Sequence, residues 1–318
     1  MIHMSMNRVI LSVVIALVVL GTAPARAQQP IAVTPYESLT IEGLRRRSYG
    51  EGEFRVERTL QVTSAFTRSL ISFASDGLTV YGFMNTPKGT GPFPVVLVLH
   101  GYVNPRTYRT PTTYTQRYAD ALARAGFLVI HPDYRGHGRS EGEAEGATNL
   151  FRTGYAIDVL NLIEHANRLP SAAPGAIGLF GHSMGGGIAL RAATVNPNVK
   201  AIVLYGSMSG DERLNVDRIK RVFRGVPSMP EDDVPLDLWD DISPITYLRD
   251  LKAAVEIHHG ERDPQVPVAW SRDLHAQLSV LGKAAMLYEY PDAGHSLRGR
   301  DYATMMDRVT RFFSAHLR

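Results

Sequence analysis

The pentapeptide Gly181-His182-Ser183-Met184-Gly185 holds the clearest chemistry in the sequence. A strand-length apolar run, Ala176-Ile177-Gly178-Leu179-Phe180, precedes it. A small, helix-compatible stretch from Gly186 to Ala193 follows. Strand, glycine-flanked serine and helix together are the context of a nucleophile elbow. So sharp a turn forces Ser183 into a strained conformation, and Gly181 and Gly185 relieve the crowding around it. The N-terminus of the following helix favours a developing negative charge there. G-x-S-x-G alone also arises by chance, and a capping serine at an ordinary strand-to-helix turn would read the same. The weight of the motif rests on its partners.

A serine hydroxyl is a poor nucleophile until a base takes its proton, and histidine is the side chain best suited to that task. Of eleven histidines, His295 stands in Tyr290-Pro291-Asp292-Ala293-Gly294-His295-Ser296, a loop expected between the last strand and the last helix. From there an imidazole can reach over the sheet edge. A carboxylate should hold that ring in one tautomer. Asp263 and Glu261 both qualify, in a loop stiffened by Pro264 and Pro267. Asp292 reads as a turn residue. Acyl transfer also needs oxyanion donors. The Met184 backbone N–H is one. The other is expected after His100-Gly101, from the Tyr102 N–H or, alternatively, its hydroxyl. Activity should fall on the acid side as the base becomes protonated.

These residues need elements to hold them. Ser69–Phe73 and Leu78–Met84 alternate as half-buried strands around an Asp76-Gly77 turn, which predicts an antiparallel start. Pro94–Leu99 and Phe127–Ile130 read as strands buried on both faces. Further strands are expected at Lys200–Tyr205, Ala254–His259 and Ala285–Tyr290. Helices are expected at about Thr113–Ala125, Thr153–Arg168, Val268–Leu281 and Tyr302–His316. Alternating strands and helices predict an α/β fold with a mostly parallel central sheet flanked by helices. Ligands of such sheets bind beyond the strand carboxyl ends, where His100, Asp133, Ser183, Asp263 and His295 all fall. The Pro-rich stretch from about residue 206 to 250, with an amphipathic piece near Leu214–Phe223, interrupts the alternation and reads as a small cap insertion.

At 318 residues and 44% hydrophobic, the chain can bury one large core. Arg8, the apolar run Val9–Leu20 and Ala25-Arg26-Ala27 form a signal-peptide pattern. Residues 1–27 are therefore expected to be a cleaved leader, leaving residues 28–318 as the catalytic domain, exported to a periplasm or the extracellular space. Cleavage takes Lys+Arg from 34 to 32 against 31 acidic residues. That balance argues against capture of nucleic acid, or of a membrane surface once the leader is gone. There is no cysteine, so disulfides and thiolate sites are excluded. His258-His259 alone lacks the ligand set of a zinc site, and no phosphate-cradling G-x-x-x-x-G-K occurs. No cofactor and no metal are expected. Gln28 to about Gly52, with its Arg45-Arg46-Arg47 run, reads as a solvated N-terminal extension. His137 reads as a structural loop residue, Arg135 and Arg139 as partners of local carboxylates, and Trp239 and Trp270 as packing residues.

Several blocks of text carry a family likeness. They are Leu97-Val98-Leu99-His100-Gly101, Asp133-Tyr134-Arg135-Gly136-His137-Gly138, Gly181-His182-Ser183-Met184-Gly185-Gly186, Ser243-Pro244-Ile245-Thr246-Tyr247, Gly260-Glu261-Arg262-Asp263 through Val266-Pro267, and Asp292-Ala293-Gly294-His295. Over roughly Ser69 to Arg318 the chain resembles an α/β-hydrolase, in particular the prolyl-oligopeptidase-type (S9) catalytic domain and dienelactone-hydrolase-like esterases. The chain order Ser183, Asp263, His295 matches that superfamily's triad. The resemblance implies Asp263 rather than Glu261 as the triad acid. Large S9 peptidases carry a β-propeller ahead of the hydrolase, and only about 40 residues separate Gln28 from the first core strand. The expected substrate is therefore a small carboxylic ester, with an S9-like peptidase acting on short peptides or aminoacyl amides as the alternative. In that alternative, Glu231, Asp232 or Asp233 of the cap could hold the substrate's amine.

Overall fold

The apolar runs read as doubly buried strands lie at the centre of a single sheet. The computed structural model describes residues 36–144, 147–222 and 229–318; the leader expected at residues 1–27 lies outside them. The strands are β1 (Phe54–Val62), β2 (Phe66–Ser75), β3 (Leu78–Pro87), β4 (Phe93–Leu99), β5 (Leu128–Pro132), β6 (Ala172–His182), β7 (Ala201–Tyr205), β8 (Ala254–Gly260) and β9 (Ala285–Tyr290). Their order across the sheet is β1-β2-β3-β5-β4-β6-β7-β8-β9. β1, β2, β3 and β5 pair antiparallel, and every later pair is parallel. Asp76 and Gly77 both take positive φ, as the tight β2–β3 hairpin requires.

The sheet divides the interior into two cores. Alternate side chains of β4 go to opposite sides: Val95, Leu97 and Leu99 to one, Val96 and Val98 to the other. The first core packs beneath α3 (Thr153–Asn167), α4 (Met184–Val195) and α7 (Val268–Val280). The second packs beneath α2 (Gln116–Arg124) and α8 (Gly299–Leu317). In register, Leu99 lies opposite Gly181, His182 opposite Tyr205, and Tyr205 opposite His258. The parallel strands therefore release their carboxyl ends along one edge.

The stretch ahead of β1 departs from the solvated extension expected. Thr40 caps a short helix, α1 (Ile41–Arg45), by accepting from the Gly43 N–H. Ile41 and Leu44, three residues apart on one face, are fully buried in the first core. Arg45 donates to the Thr194 carbonyl of α4 and pairs with Glu42 and Asp250. Arg46 and Arg47 pair with Glu37 and Asp76. The arginine run thus faces local carboxylates, and apolar anchors beside it pin the segment.

Between β7 and β8 lie α5 (Glu212–Val222) and α6 (Trp239–Ile242); Phe223, the expected end of the amphipathic piece, lies outside the described residues. Val216, Val234, Trp239 and Ile242 bury themselves against Leu150 and Phe151. Glu212 bridges the buried Arg191 of α4 and Arg152, and its N–H donates to Ser243 Oγ. Among the described residues no helix is long and apolar enough to cross a membrane.

Candidate active site

Ser183 sits between β6 and α4 with φ 57° and ψ −121°. A non-glycine residue there is strained, and the surroundings must over-determine it. They do: the Ser183 N–H donates to the Tyr205 carbonyl at 2.9 Å, and the Ser183 carbonyl accepts from the Gly186 and Met208 N–H groups at 2.9 and 3.1 Å. A Cβ on Gly181 would run into the Gly185 carbonyl, and one on Gly185 into the Leu99 carbonyl. Both glycines are therefore imposed by backbone packed against backbone. The serine side chain makes no capping hydrogen bond to its own helix. Met184 occupies the first turn of α4, where N–H groups have no partner within the helix.

Asp263 follows β8 and His295 follows β9. Their side chains meet with Asp263 Oδ2 2.7 Å from His295 Nδ1. The other carboxylate oxygen accepts from the Gln265 and Val266 N–H groups at 2.7 and 3.0 Å. His259 Nε2 stands 3.3 Å from Oδ2. Burial alone would raise the pKa of Asp263. Hydrogen bonds from His259, His295 and Val266 outweigh it and hold the carboxyl well below the usual carboxylate range. An ionised carboxylate only accepts, so the proton between the two lies on Nδ1 and a neutral ring presents Nε2 as a lone pair. The pair is backed by Gly206, where a Cβ would lie 3.4 Å from His295 Nδ1. Glu261 is exposed, and Asp292 pairs with Arg262 at the surface.

The structure thus brings Asp263 and His295 into direct contact, and Ser183 follows His182, whose ring packs against that of His295. His182, next to the serine in sequence, reaches the His295 carbonyl through Nε2 at 3.0 Å, and the two rings lie 4.7 Å apart. Among the described residues no hydrogen bond joins the Ser183 hydroxyl to the His295 ring. Gly101 closes the opposite wall, where a Cβ would fall 2.8 Å from Ser183 Cβ. Tyr102 follows it with its side chain exposed, beside a cavity of about 440 Å³ also lined by Asn104, Pro105, Arg106, Glu143 and Ala144.

His259 is a contact that sequence reasoning missed. In the sequence the pair His258-His259 suggests only a metal site. Alternation along β8 sends the two rings to opposite faces: His259 toward Asp263 and Ser271, His258 toward Glu256 and Tyr290. Among the described residues no group of three or more metal-ligating side chains forms. His137 is buried, 3.1 Å from the Arg135 carbonyl, and Arg135 grips the buried Asp158. Arg139, expected to find a carboxylate, lies over the Tyr81 ring. Trp239 packs in the cap and donates to the Val234 carbonyl.

Residues 91–236 match the sequence model of the family described as serine aminopeptidase, S33. The "uncharacterized peptidase YuxL" of Bacillus subtilis is 28% identical over 258 residues, which covers 76% of this chain and 38% of that protein. The chain spans 38% of the length of each of the first curated relatives it matches. Among solved structures, an acylaminoacyl peptidase of Pyrococcus horikoshii superposes with a TM-score of 0.67 at 24% identity, covering 80% of this chain and 42% of that one. Acetyl xylan esterase 1 from a Thermoanaerobacterium species gives a TM-score of 0.65 at 19% identity, covering 87% and 91%. Sheet order and elbow are those of an α/β-hydrolase fold, and over residues 91–236 the sequence is similar to serine hydrolases.

Proposed function

We propose that Ser183, His295 and Asp263 form a catalytic triad that hydrolyses small carboxylic esters through an acyl-enzyme. The observation that carries this reading is the 2.7 Å Asp263–His295 pair in a fold whose Ser183 is held in the strained elbow conformation. Ser183 Oγ attacks the carbonyl carbon while His295 Nε2 takes its proton. The oxyanion forms against the Met184 and Tyr102 N–H groups. His295 then gives the proton to the leaving oxygen, and the C–O bond breaks. Water attacks the acyl-enzyme through the same base and restores Ser183. Asp263 orients the ring and stabilises its cation. The chemistry takes place outside the cytoplasm, after removal of the leader at residues 1–27; N-terminal sequencing of the exported protein tests that part.

Two features support an ester over an amine-anchored peptide. Glu231 is buried and accepts from the Phe151 N–H, and Asp232 pairs with Lys220 while accepting from the Met229 N–H. Two of the three cap carboxylates that could hold a peptide amine are thus engaged within the protein, and Asp233 is exposed. The match to an aminopeptidase model favours the second reading, a peptidase for short peptides or aminoacyl amides. Parallel assays of a nitrophenyl ester and an aminoacyl nitroanilide separate them. The ester reading predicts a kcat/KM at least about 100-fold higher on the ester. A greater kcat/KM on the anilide would replace it with the peptidase.

A further inference from the structure

Tyr114 lies in the irregular loop between β4 and α2, and its hydroxyl turns inward to the floor of the crevice. Its oxygen accepts from the Gly101 N–H at 2.8 Å. The same oxygen stands 2.8 Å from His182 Nδ1. The other nitrogen of that ring, Nε2, lies 3.0 Å from the His295 carbonyl oxygen. A carbonyl can only accept, so Nε2 carries the proton. A neutral ring then leaves Nδ1 as an acceptor, and the Tyr114 O–H must donate to it. Every donor finds an acceptor in one direction: Gly101 N–H to Tyr114, Tyr114 O–H to His182 Nδ1, His182 Nε2–H to His295 C=O.

Charge states agree with that direction. Burial, and then the neighbouring His295, push His182 down to about 3, so its ring stays neutral. Burial pushes the Tyr114 hydroxyl well above the usual phenol range, so it keeps its proton. The ring is also fixed by packing, 4.4 Å from Tyr205 and 5.3 Å from Tyr114 between centroids. His182 is buried, touches no open space and takes no part in the proposed proton transfers.

We infer that Tyr114 and His182 are positioning residues that latch the oxyanion loop to the base loop. The relay runs from the Gly101 N–H, one residue ahead of the Tyr102 N–H, to the backbone carbonyl of the residue that carries the base. It fixes the relative placement of the oxyanion donor and His295, which must act on the same tetrahedral centre. Its links are partly buried and centre on the buried His182 ring, where a hydrogen bond is electrostatically stronger than in water. The inference rests on the triad reading and deepens it.

The test is steady-state ester hydrolysis by wild type, Tyr114→Phe, His182→Gln, the double variant and Ser183→Ala, with melting temperatures alongside. Phenylalanine removes only the hydroxyl. Glutamine can place an N–H where Nε2 stands, for the His295 carbonyl, but has no atom at the Nδ1 position to accept from Tyr114. Tyr114→Phe should lower kcat about 10-fold with KM within about twofold, as expected for misplaced rather than missing groups. The double variant should lose no more than Tyr114→Phe, because both substitutions break the same link. A Tyr114→Phe kcat within twofold of wild type, or losses that multiply in the double variant, would overturn the relay. Ser183→Ala retaining wild-type activity would overturn the triad reading and the relay with it. Imidazole nitrogen NMR of the wild type tests the donor order without any variant. The relay requires a neutral His182 with its proton on Nε2, and a proton on Nδ1 contradicts it.

Discussion

Strand β8 serves two carboxylate–histidine pairs, one along the strand and one beyond its end. On one side of the strand, Glu256 Oε1 lies 2.8 Å from His258 Nε2, and both side chains are buried. Beyond the strand's end, Asp263 lies 2.7 Å from His295 Nδ1, with His259 of β8 supporting the carboxylate. By distance and chemistry the two pairs are nearly alike. They differ in what the far nitrogen meets. His258 Nδ1 faces the Tyr290 hydroxyl at 3.0 Å, which in turn lies near Arg308, so every polar atom of that ring is engaged inside the protein. Among the described residues the His295 ring is hydrogen-bonded through Nδ1, to Asp263. A carboxylate–histidine pair is thus a common structural device. In the proposed triad it would become chemistry where one ring nitrogen is left to the substrate.

That contrast can be broken from both ends. Asp263→Asn should cost the most, about 10⁴-fold in kcat on a nitrophenyl ester, because the Gln265 and Val266 N–H groups claim the amide oxygen and turn its NH2 toward Nδ1, which drives the ring to the wrong tautomer. A loss below tenfold would mean that Asp263 is no more important than Glu256. Gly185→Ala comes next, at about 3 kcal/mol or more of stability in denaturant melts, since its new Cβ meets the Leu99 carbonyl.

A third carboxylate sharpens the comparison by titrating in the opposite sense. Asp133 is fully buried and accepts from the Tyr108 and Thr110 hydroxyls. Burial outweighs these donors and pushes it up to about 6. Between its ordinary value and 6 the folded state keeps a proton that the unfolded state has lost, so stability falls as pH rises through that window. The drop amounts to about 3 kcal/mol, and Asp133→Asn should flatten it in melts recorded from pH 4 to 7. Asp263, held low, contributes stability that is present above the usual carboxylate range and lost only as pH falls through its depressed value. The smallest effect belongs to Glu256→Gln. The amide oxygen still accepts from His258, so a loss of about 1 kcal/mol is expected, with kcat within twofold of wild type. A kcat collapse there would erase the distinction between the pairs.

The parts legible in the sequence are those set by local physics. Glycines flanking Ser183, apolar runs of strand length and helix-period segments all announce themselves within a dozen residues. That was enough for the fold class and for bringing Asp263 and His295 to one edge. The segment before β1 was misread because its two anchors, Ile41 and Leu44, are sparse among charges and gain meaning only against α4. Tyr114 gave no signal because its loop has no period and its partner His182 lies 68 residues away. Likewise Asp133 reads as a loop carboxylate until Tyr108 and Thr110 fold over it. The His258-His259 pair was the retrievable case, since strand alternation alone separates the two rings.

The most direct measurement is fluorophosphonate labelling of wild type beside Ser183→Ala, followed by mapping of the modified peptide. The triad account predicts a single modified residue, Ser183, and no labelling of a folded Ser183→Ala variant. A folded wild type that does not react, or that reacts at another serine, would contradict it.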